Sequence, residues 1–182
     1  MTACINGNYE IIKLLLDNNA DVTATNALGN TALIYCFSRL DEEMNVFENK
    51  NLCFKMLELL LDYGADIDNI INEAEGLTFL MYFCGVEIEL TPCQTQVLLD
   101  CINFLLAHGA DRTRENRSNK TAFDFAERNP LKDKVLHLLR TVKQKYNHKK
   151  KNVPKKIISL DLNNTEALIR QEPTKECKCV VL

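Results

Sequence analysis

The sequence predicts an all-α fold made of repeated helical hairpins, and three observations support this prediction. Three blocks of the chain align without gaps, and their closing Ala-Asp pairs recur at a spacing of 45 residues. Each block carries apolar residues at helical spacing and ends at glycine or asparagine, which tolerate the left-handed conformation of a helix end. Downstream of each block, a threonine that can cap a helix opens a second apolar stretch. The blocks are residues 11–21, 56–66 and 101–111, and the threonines are Thr31, Thr78 and Thr121.

The repeated unit is therefore a helix, a turn, a second helix and a hairpin-like finger. The stretches Glu10-Ile11-Ile12-Lys13-Leu14-Leu15-Leu16 and Gly64-Ala65-Asp66 resemble the ankyrin repeat family, and the resemblance extends over about residues 1–140. It implies an ankyrin-repeat solenoid that binds other proteins and is not an enzyme. The predicted units span about residues 1–25, 26–70, 71–115 and 116–140, followed by a basic connector at 141–156 and a tail at 157–182.

The repeats are divergent, because the family period is about 33 residues and this chain uses 45. We predict a polar loop at residues 39–51 in the second unit. In the third unit, we place the extra residues at 86–95, where Pro92 is expected to interrupt any helix. Two further residues near Ile70-Ile71 are expected to lengthen the second finger. The first unit is predicted to be incomplete, since Met1-Thr2-Ala3-Cys4 aligns with Met81-Tyr82-Phe83-Cys84, in the middle of a repeat, and this would leave an apolar face uncovered.

The composition argues against several classes of site. The eight cysteines lie mostly within apolar segments and form no CxxC pair, so we expect buried free thiols and no metal site. His108, Asp21, Asp66 and Asp111 are interpreted as structural residues at helix ends and turns. Motifs for nucleotide binding, nucleophilic catalysis or metal hydrolysis are missing from the sequence. We therefore expect no cofactor, no small-molecule substrate and no nucleic acid.

Candidate partner-binding residues lie in the fingers, because the resemblance implies that finger tips and the exposed side of the first helices line a concave surface. Ile70 and Ile71 are the strongest candidates, since exposed β-branched residues on a long finger can anchor a partner. The alternative is that these residues fold back onto the neighbouring insertion. Surrounding acidic residues favour a partner with a basic surface. The full candidate set is Thr25, Ala27, Leu28, Asn30, Asn69, Ile70, Ile71, Glu73, Glu75, Glu115, Arg117, Ser118 and Lys120.

The last four residues, Cys179-Val180-Val181-Leu182, match the pattern read by protein prenyltransferases, and the terminal leucine indicates geranylgeranylation of Cys179. The alternative is that four ordinary residues happen to end the sequence. One prenyl chain holds a membrane only marginally, so a second signal is expected. Cys177 offers one through palmitoylation. A basic patch on the connector offers another, through anionic lipid; it consists of Lys149, Lys150, Lys151, Lys155 and Lys156.

These observations predict a non-catalytic protein-interaction adaptor in the cytoplasm, anchored to the cytosolic face of a membrane. No stretch of about 18 apolar residues predicts a membrane-spanning helix. The main competing hypothesis is a soluble or nuclear regulator, in which the basic patch is an import signal. A third hypothesis is an accessory fragment of a larger enzyme.

Overall fold

The computed structural model describes residues 1–42 and 50–146, with side chains up to residue 38 in the first segment. Within these ranges the chain forms eight α-helices and one two-stranded antiparallel sheet. The helices are α1 (Thr2–Ile5), α2 (Tyr9–Asp17), α3 (Ala32–Glu42), α4 (Lys50–Asp62), α5 (Phe79–Cys84), α6 (Pro92–Ala107), α7 (Ala122–Ala126) and α8 (Lys132–Thr141). The strands are β1 (Ile70–Asn72) and β2 (Leu77–Thr78).

Successive helices form hairpins, and corresponding helices of neighbouring hairpins pack against each other. The hairpins are α1/α2, α3/α4, α5/α6 and α7/α8, as the repeated pattern predicts. The first helix of a hairpin contacts the first helix of the next one, as in the pairs α1–α3 and α5–α7. The second helices pair in the same way, as in α2–α4 and α6–α8. One apolar core runs through the described hairpins, with Leu57, Leu80 and Ile102 among its fully buried side chains. The fold is therefore mainly helical.

The helix ends follow the sequence signals. Asn8 caps α2 by accepting a hydrogen bond from the amide of Ile11 at 3.1 Å. The Thr78 hydroxyl accepts one from the amide of Met81 at 3.4 Å, at the start of α5. Just after α2, α4 and α6 the backbone turns left-handed, with φ of 64° at Asn19, 92° at Gly64 and 94° at Gly109. The predicted glycine or asparagine stops are confirmed.

The prediction that Pro92 interrupts a helix is wrong, because α6 begins at this residue. Proline is tolerated at the first helical position, where its missing N–H has no partner to lose. Thr91 and Gln94 complete the start reciprocally: the Thr91 hydroxyl accepts from the Gln94 amide at 3.3 Å, and the Gln94 side chain accepts from the Thr91 amide at 2.9 Å. The extra residues of the third unit therefore divide between a loop and the first turn of α6.

The predicted polar loop at residues 39–51 is also wrong at both of its ends. Helix α3 continues to Glu42, and α4 already begins at Lys50. The residues at both ends of the insertion thus belong to the two helices of the second hairpin. Residues 43–49 lie outside the described ranges.

A short segment after α8, Val142–Tyr146, turns back across the end of α6; we call it the C-terminal strap. The amides of Lys145 and Tyr146 donate to the carbonyl of Ala107 at 2.8 and 3.1 Å. Arg112 donates to the carbonyls of Leu139 and Val142, the latter at 2.9 Å. These bonds fix the path of the chain as it leaves the last helix.

None of the described cysteines forms a disulfide, and the expectation of burial holds for all but one of them. The exception is Cys93, which is exposed on the first turn of α6. Burial raises the pKa of the Cys84 thiol to about 12, so this side chain behaves as a small apolar core residue. Across the two described segments, no helix has both the length and the apolar character needed to cross a membrane.

Candidate functional site

The first and third fingers share one turn, which an asparagine side chain organises. In the first finger, the Asn26 carbonyl oxygen accepts from the amides of Leu28 and Asn30 at 2.9 and 3.0 Å. In the third finger, Asn116 accepts in the same way from the amides of Ser118 and Lys120, both at 2.9 Å. The side chain thus substitutes for strand pairing and holds a tight turn.

The aspartates that open these two fingers have the structural role predicted for them. Asp21 accepts from the amide and hydroxyl of Thr23, at 2.9 and 2.6 Å. Asp111 accepts from the same two groups of Thr113, at 2.8 and 2.6 Å. These hydrogen bonds hold the pKa of the Asp111 carboxyl below its usual value, and the bond from the Thr113 hydroxyl contributes most.

The second finger is longer and contains the β1–β2 hairpin. Asn72 takes the place of Asn26 and Asn116, accepting from the amides of Ala74 and Glu75 at 2.9 and 3.3 Å. One additional residue precedes Asn72 and one lies in the turn between Asn72 and Gly76. The predicted lengthening of this finger by two residues is confirmed, and it is sufficient for Ile70 to pair with Thr78.

The second and third fingers are bonded to each other. The Asp68 carboxylate accepts from the amide of Asp111 at 3.0 Å, and Arg114 donates to the carbonyl of Asp68 at 2.8 Å. At the tips, the amide of Arg117 donates to the carbonyl of Glu75 at 3.0 Å. Burial raises the pKa of the Asp68 carboxyl, because desolvation disfavours its charged form. The two fingers therefore act as one rigid rim.

A groove lies between the first helices of the second and third hairpins, below the second finger; we call it the α3–α5 groove. It encloses about 270 Å³. Its floor is aromatic: the ring centroids of Phe37 and Phe79 are 4.1 Å apart, and those of Phe37 and Phe83 are 6.0 Å apart. The lining residues are Asn30, Ile34, Phe37, Ser38, Ile71, Phe79, Tyr82 and Phe83.

Only two of the predicted partner-binding residues line this groove, Asn30 from the first finger and Ile71 from the second. Ile71 is half-buried and contacts the core, so it forms a wall of the groove and is not a free anchor. Ile70 is also half-buried, within strand β1. The side-chain NH₂ of Asn69 donates to the hydroxyl of Thr31 at 3.1 Å, which joins the second finger to the start of α3.

The other predicted finger residues are exposed and lie outside the lining of the groove. Leu28 is 80% exposed. Arg117 forms an ion pair with Glu73 at 3.5 Å, with both side chains largely exposed, so the pair contributes little to stability. The remaining exposed residues are Thr25, Ala27, Glu75, Glu115, Ser118 and Lys120.

The sequence-based set missed the helical half of the groove, which includes Ile34, Ser38 and Tyr82. Tyr82 is 39% exposed and packs its ring edge-on against Phe83, with centroids 5.4 Å apart. A large aromatic on the otherwise buried helix α5 was the available signal.

No group of three or more His, Cys, Asp or Glu side chains within residues 1–42 and 50–146 is arranged to hold a metal ion. His108 is buried at the end of α6, as the structural interpretation predicted, and stacks between Phe104 and Tyr146. The predicted lipidation residues Cys177 and Cys179, and the basic patch of Lys149, Lys150, Lys151, Lys155 and Lys156, lie outside the described ranges.

Comparisons with known proteins point to the same family as the repeated pattern. Residues 1–45 match the family model of ankyrin repeats. Ankyrin repeat protein R841 of Acanthamoeba polyphaga mimivirus is 35% identical to the chain over 83 residues, which are 46% of this chain. The match spans only 12% of the length of that relative.

Among solved structures, the chain is similar to one in the complex of the Bd0816 predatory endopeptidase from Bdellovibrio bacteriovorus with immunity protein Bd3460. The identity is 21%, the TM-score is 0.40, and the alignment covers 76% of this chain and 78% of the other. A similarity at this level supports no statement about fold or function. Residues 1–45 therefore match ankyrin repeats directly, and the mimiviral relative is similar to 46% of the chain.

Proposed function

We propose that the chain is a non-catalytic adaptor, an ankyrin-repeat solenoid that binds another protein at the α3–α5 groove. The observation behind this proposal is that the groove combines an aromatic floor with polar groups at its edge, from Asn30 and Ser38. Buried aromatic and aliphatic surface supplies most of the energy at protein interfaces, while polar edges give orientation. Ankyrin repeats generally act in this way, as modules that bind proteins.

The size of the groove favours a side chain of a partner over a small molecule. Ligand pockets typically enclose about 300–1,000 Å³ and bury most of a ligand. At about 270 Å³, the α3–α5 groove falls below that range and suits one large apolar side chain as an anchor. The rigid rim formed by the second and third fingers would hold the flanking residues of the partner.

The charges around the groove indicate which flanking residues the partner should carry. The second finger presents two exposed carboxylates, that of Glu75 and that of Glu73, which forms a weak surface ion pair with Arg117. Of the basic residues on the third finger, Arg112 and Arg114 already donate to backbone carbonyls of this chain. The partner should therefore place basic residues beside its apolar anchor, toward the second finger.

Methyl NMR tests the groove directly. A peptide selected from a random library for binding the chain should shift the methyl signals of Ile34 and Ile71, which line the groove, and leave those of Ile88, an exposed isoleucine elsewhere, in place. Tyr82→Ala should weaken the affinity at least about tenfold, the effect of removing an interface anchor. Tyr146→Ala is the matched control, an exposed tyrosine outside the groove. Shifts confined to Ile88, or equal affinity for both variants, would contradict the site.

The adaptor is also proposed to reach a membrane through Cys179. Prenylation would join the Cys179 sulfur to a geranylgeranyl group, with diphosphate leaving from the lipid donor. The terminal Cys179-Val180-Val181-Leu182 motif supports this step, and Cys177 and the basic patch supply the second signals that one lipid chain needs. Each basic residue close to an anionic leaflet adds about 1 kcal/mol.

Intact mass of the protein from eukaryotic cells tests the lipid anchor. We expect the mass of a geranylgeranyl group, loss of the last three residues and carboxyl methylation. Cys179→Ser should abolish the modification and release the protein from membranes. Cys177→Ser should keep the prenyl mass and weaken membrane residence only. An unmodified wild-type mass would reject the anchor. Loss of nuclear accumulation on replacing Lys149–Lys151 would then favour the nuclear regulator, and co-purification with a catalytic chain would favour the accessory fragment.

A further inference from the structure

A second groove lies in the layer of second helices, between α6 and α8; we call it the α6–α8 groove. It encloses about 490 Å³, compared with about 270 Å³ for the α3–α5 groove. Its apolar side chains are Leu99 of α6 and Leu138 of α8, which are half-buried and pack against the core. Exposed polar side chains, among them Asn103 and His137, line its edges. The groove therefore has room for more than one large apolar side chain, and the proposed adaptor function makes no use of it.

The C-terminal strap ends beside this groove. A neighbouring cavity of about 360 Å³ is lined by Tyr146 of the strap and shares Asp100 and Asn103 with the α6–α8 groove. The amide of Tyr146 donates to the carbonyl of Ala107 at 3.1 Å. Ala107 lies eight residues along α6 from Leu99, which is about 12 Å at 1.5 Å per residue. The chain that follows Tyr146 therefore starts close to the groove.

One segment of that following chain has the pattern expected of a groove ligand. Residues 157–162 read Ile-Ile-Ser-Leu-Asp-Leu and lie outside the described residues. In an extended backbone, successive side chains point to opposite sides, so Ile158, Leu160 and Leu162 would share one apolar face. The apolar residues of the later stretch 165–170 are consecutive, so an extended backbone cannot place them on one face.

We propose that residues 157–162 dock in extended form in the α6–α8 groove of their own chain, with their apolar face on Leu99 and Leu138. At the edges, Asn103 and His137 carry both donors and acceptors for the backbone of an extended segment. Docking would make the basic connector a loop that is anchored at both ends. The proposal is independent of the α3–α5 groove and of lipidation at Cys179.

The short tether makes even a weak contact sufficient. Twelve residues separate Tyr146 from Ile158, and a flexible chain of this length spans about 5–6 Å × √12, or about 17–21 Å. The groove is within that span. Such a tether gives an effective concentration on the order of 1 mM, so a dissociation constant of about 1 mM fills half of the grooves. A separate ligand of equal intrinsic affinity would have to reach a similar concentration to compete.

Methyl NMR of the full chain tests the docking. Leu160→Ser should shift the methyl signals of Leu99 and Leu138, which line the groove, and leave those of Leu28, at the first finger tip, in place. The backbone amides of residues 157–162 should exchange at least about tenfold faster in this variant than in the wild type, because docking protects them. Leu168→Ser, in the stretch 165–170, is the matched control and should change neither measurement.

Two outcomes of this comparison would overturn the proposal. If Leu160→Ser leaves the signals of Leu99 and Leu138 unchanged, residues 157–162 do not occupy the groove. If Leu168→Ser shifts those signals instead, the occupant is the stretch 165–170. The shifts caused by Leu160→Ser should also persist on about tenfold dilution, since an intramolecular contact does not depend on protein concentration. Shifts that disappear on dilution would make a second copy of the chain the partner and would likewise reject docking within one chain.

A peptide of residues 157–162 gives a second measurement. It should bind the Leu160→Ser chain at least about twofold more tightly than the wild type, whose own segment competes for the groove. Adding Asn103→Arg to that variant should block the peptide, because the longer side chain enters the groove from an exposed position that the fold tolerates. Equal affinity for wild type and Leu160→Ser, or binding that Asn103→Arg leaves unchanged, would contradict docking in this groove.

Discussion

The second finger differs from the first and third by only two residues, and this small difference changes what the finger can do. In the short fingers, Asn26 and Asn116 organise tight turns, with the side-chain oxygen accepting two backbone amides. In the long finger, Asn72 still organises the turn, but Ile70 pairs with Thr78 as a strand. The added residues also bring Ile71 to the wall of the α3–α5 groove. The length of a repeat thus shapes the groove beside it, as well as its side chains.

The largest expected effect comes from Gly76, whose φ of 71° lies in the left-handed region. A Cβ here would lie 3.2 Å from Cγ and 3.3 Å from the backbone nitrogen of Arg117. Gly76→Ala should cost about 2–3 kcal/mol, since the left-handed penalty adds to crowding against the third finger. Gly29→Ala is the matched control, with φ of 78° and open space around it, and should cost about 1 kcal/mol. Urea unfolding measures the loss in free energy of unfolding for both variants. Equal losses would show that the second finger is not crowded by the third at Gly76.

A smaller effect is expected at the asparagines. Asn116 is buried, so Asn116→Ala should cost about 1–2 kcal/mol by leaving two amides without their acceptor. Asn72→Ala should cost less, because strand pairing also holds the second finger together. Thermal unfolding of the two variants checks the order, with Lys120→Ala as an exposed control. If Asn72→Ala proved the more destabilising, the strands would not support the turn.

The smallest effect concerns pH, and the two joined fingers should respond in opposite directions. The pKa of Asp111 is lowered in the fold, so its contribution to stability is present above the unfolded pKa and lost as pH falls through the folded pKa. The pKa of Asp68 is raised by burial, so its contribution is largest at low pH and is lost as pH rises through the folded value. Because Asp111 is exposed to solvent, its contribution should stay below about 1 kcal/mol.

Melting temperatures between pH 3 and 7 test this contrast, a window chosen to bracket the usual carboxyl pKa. Asp111→Asn should remove part of the loss of stability on acidification. Asp68→Asn should be neutral or slightly stabilising near pH 7, where the wild-type side chain bears a partly buried charge. Parallel pH curves for the two variants would show that the two carboxylates share one environment.

The sequence was sufficient to predict the helical hairpins, because their signals are local. Apolar spacing, the Thr78 cap and the stops at Asn19, Gly64 and Gly109 each act within one turn of a helix. The start of α6 could also have been predicted, since Thr91 and Gln94 form a capping pair around Pro92. Proline disrupts a helix only in its interior, and at the first helical position it is favoured.

The site was less predictable because it depends on contacts between units. Leu28 and Ile71 are both apolar finger residues, yet only Ile71 reaches the groove. Likewise, Leu14 and Leu59 occupy the same position in their repeats, and only the neighbouring hairpin decides which is buried. Position within a repeat therefore predicts which way a side chain points, whereas its surroundings are set by the next unit along the stack.

The C-terminal strap has a consequence for how many partners the molecule can hold at once. Its last described residue, Tyr146, stacks on His108 at the end of α6, with ring centroids 4.3 Å apart. The α3–α5 groove lies in the layer of first helices and shares no lining residue with the strap. A partner in the groove and any attachment made beyond Tyr146 would thus occupy separate faces. Both could be bound at the same time without steric conflict.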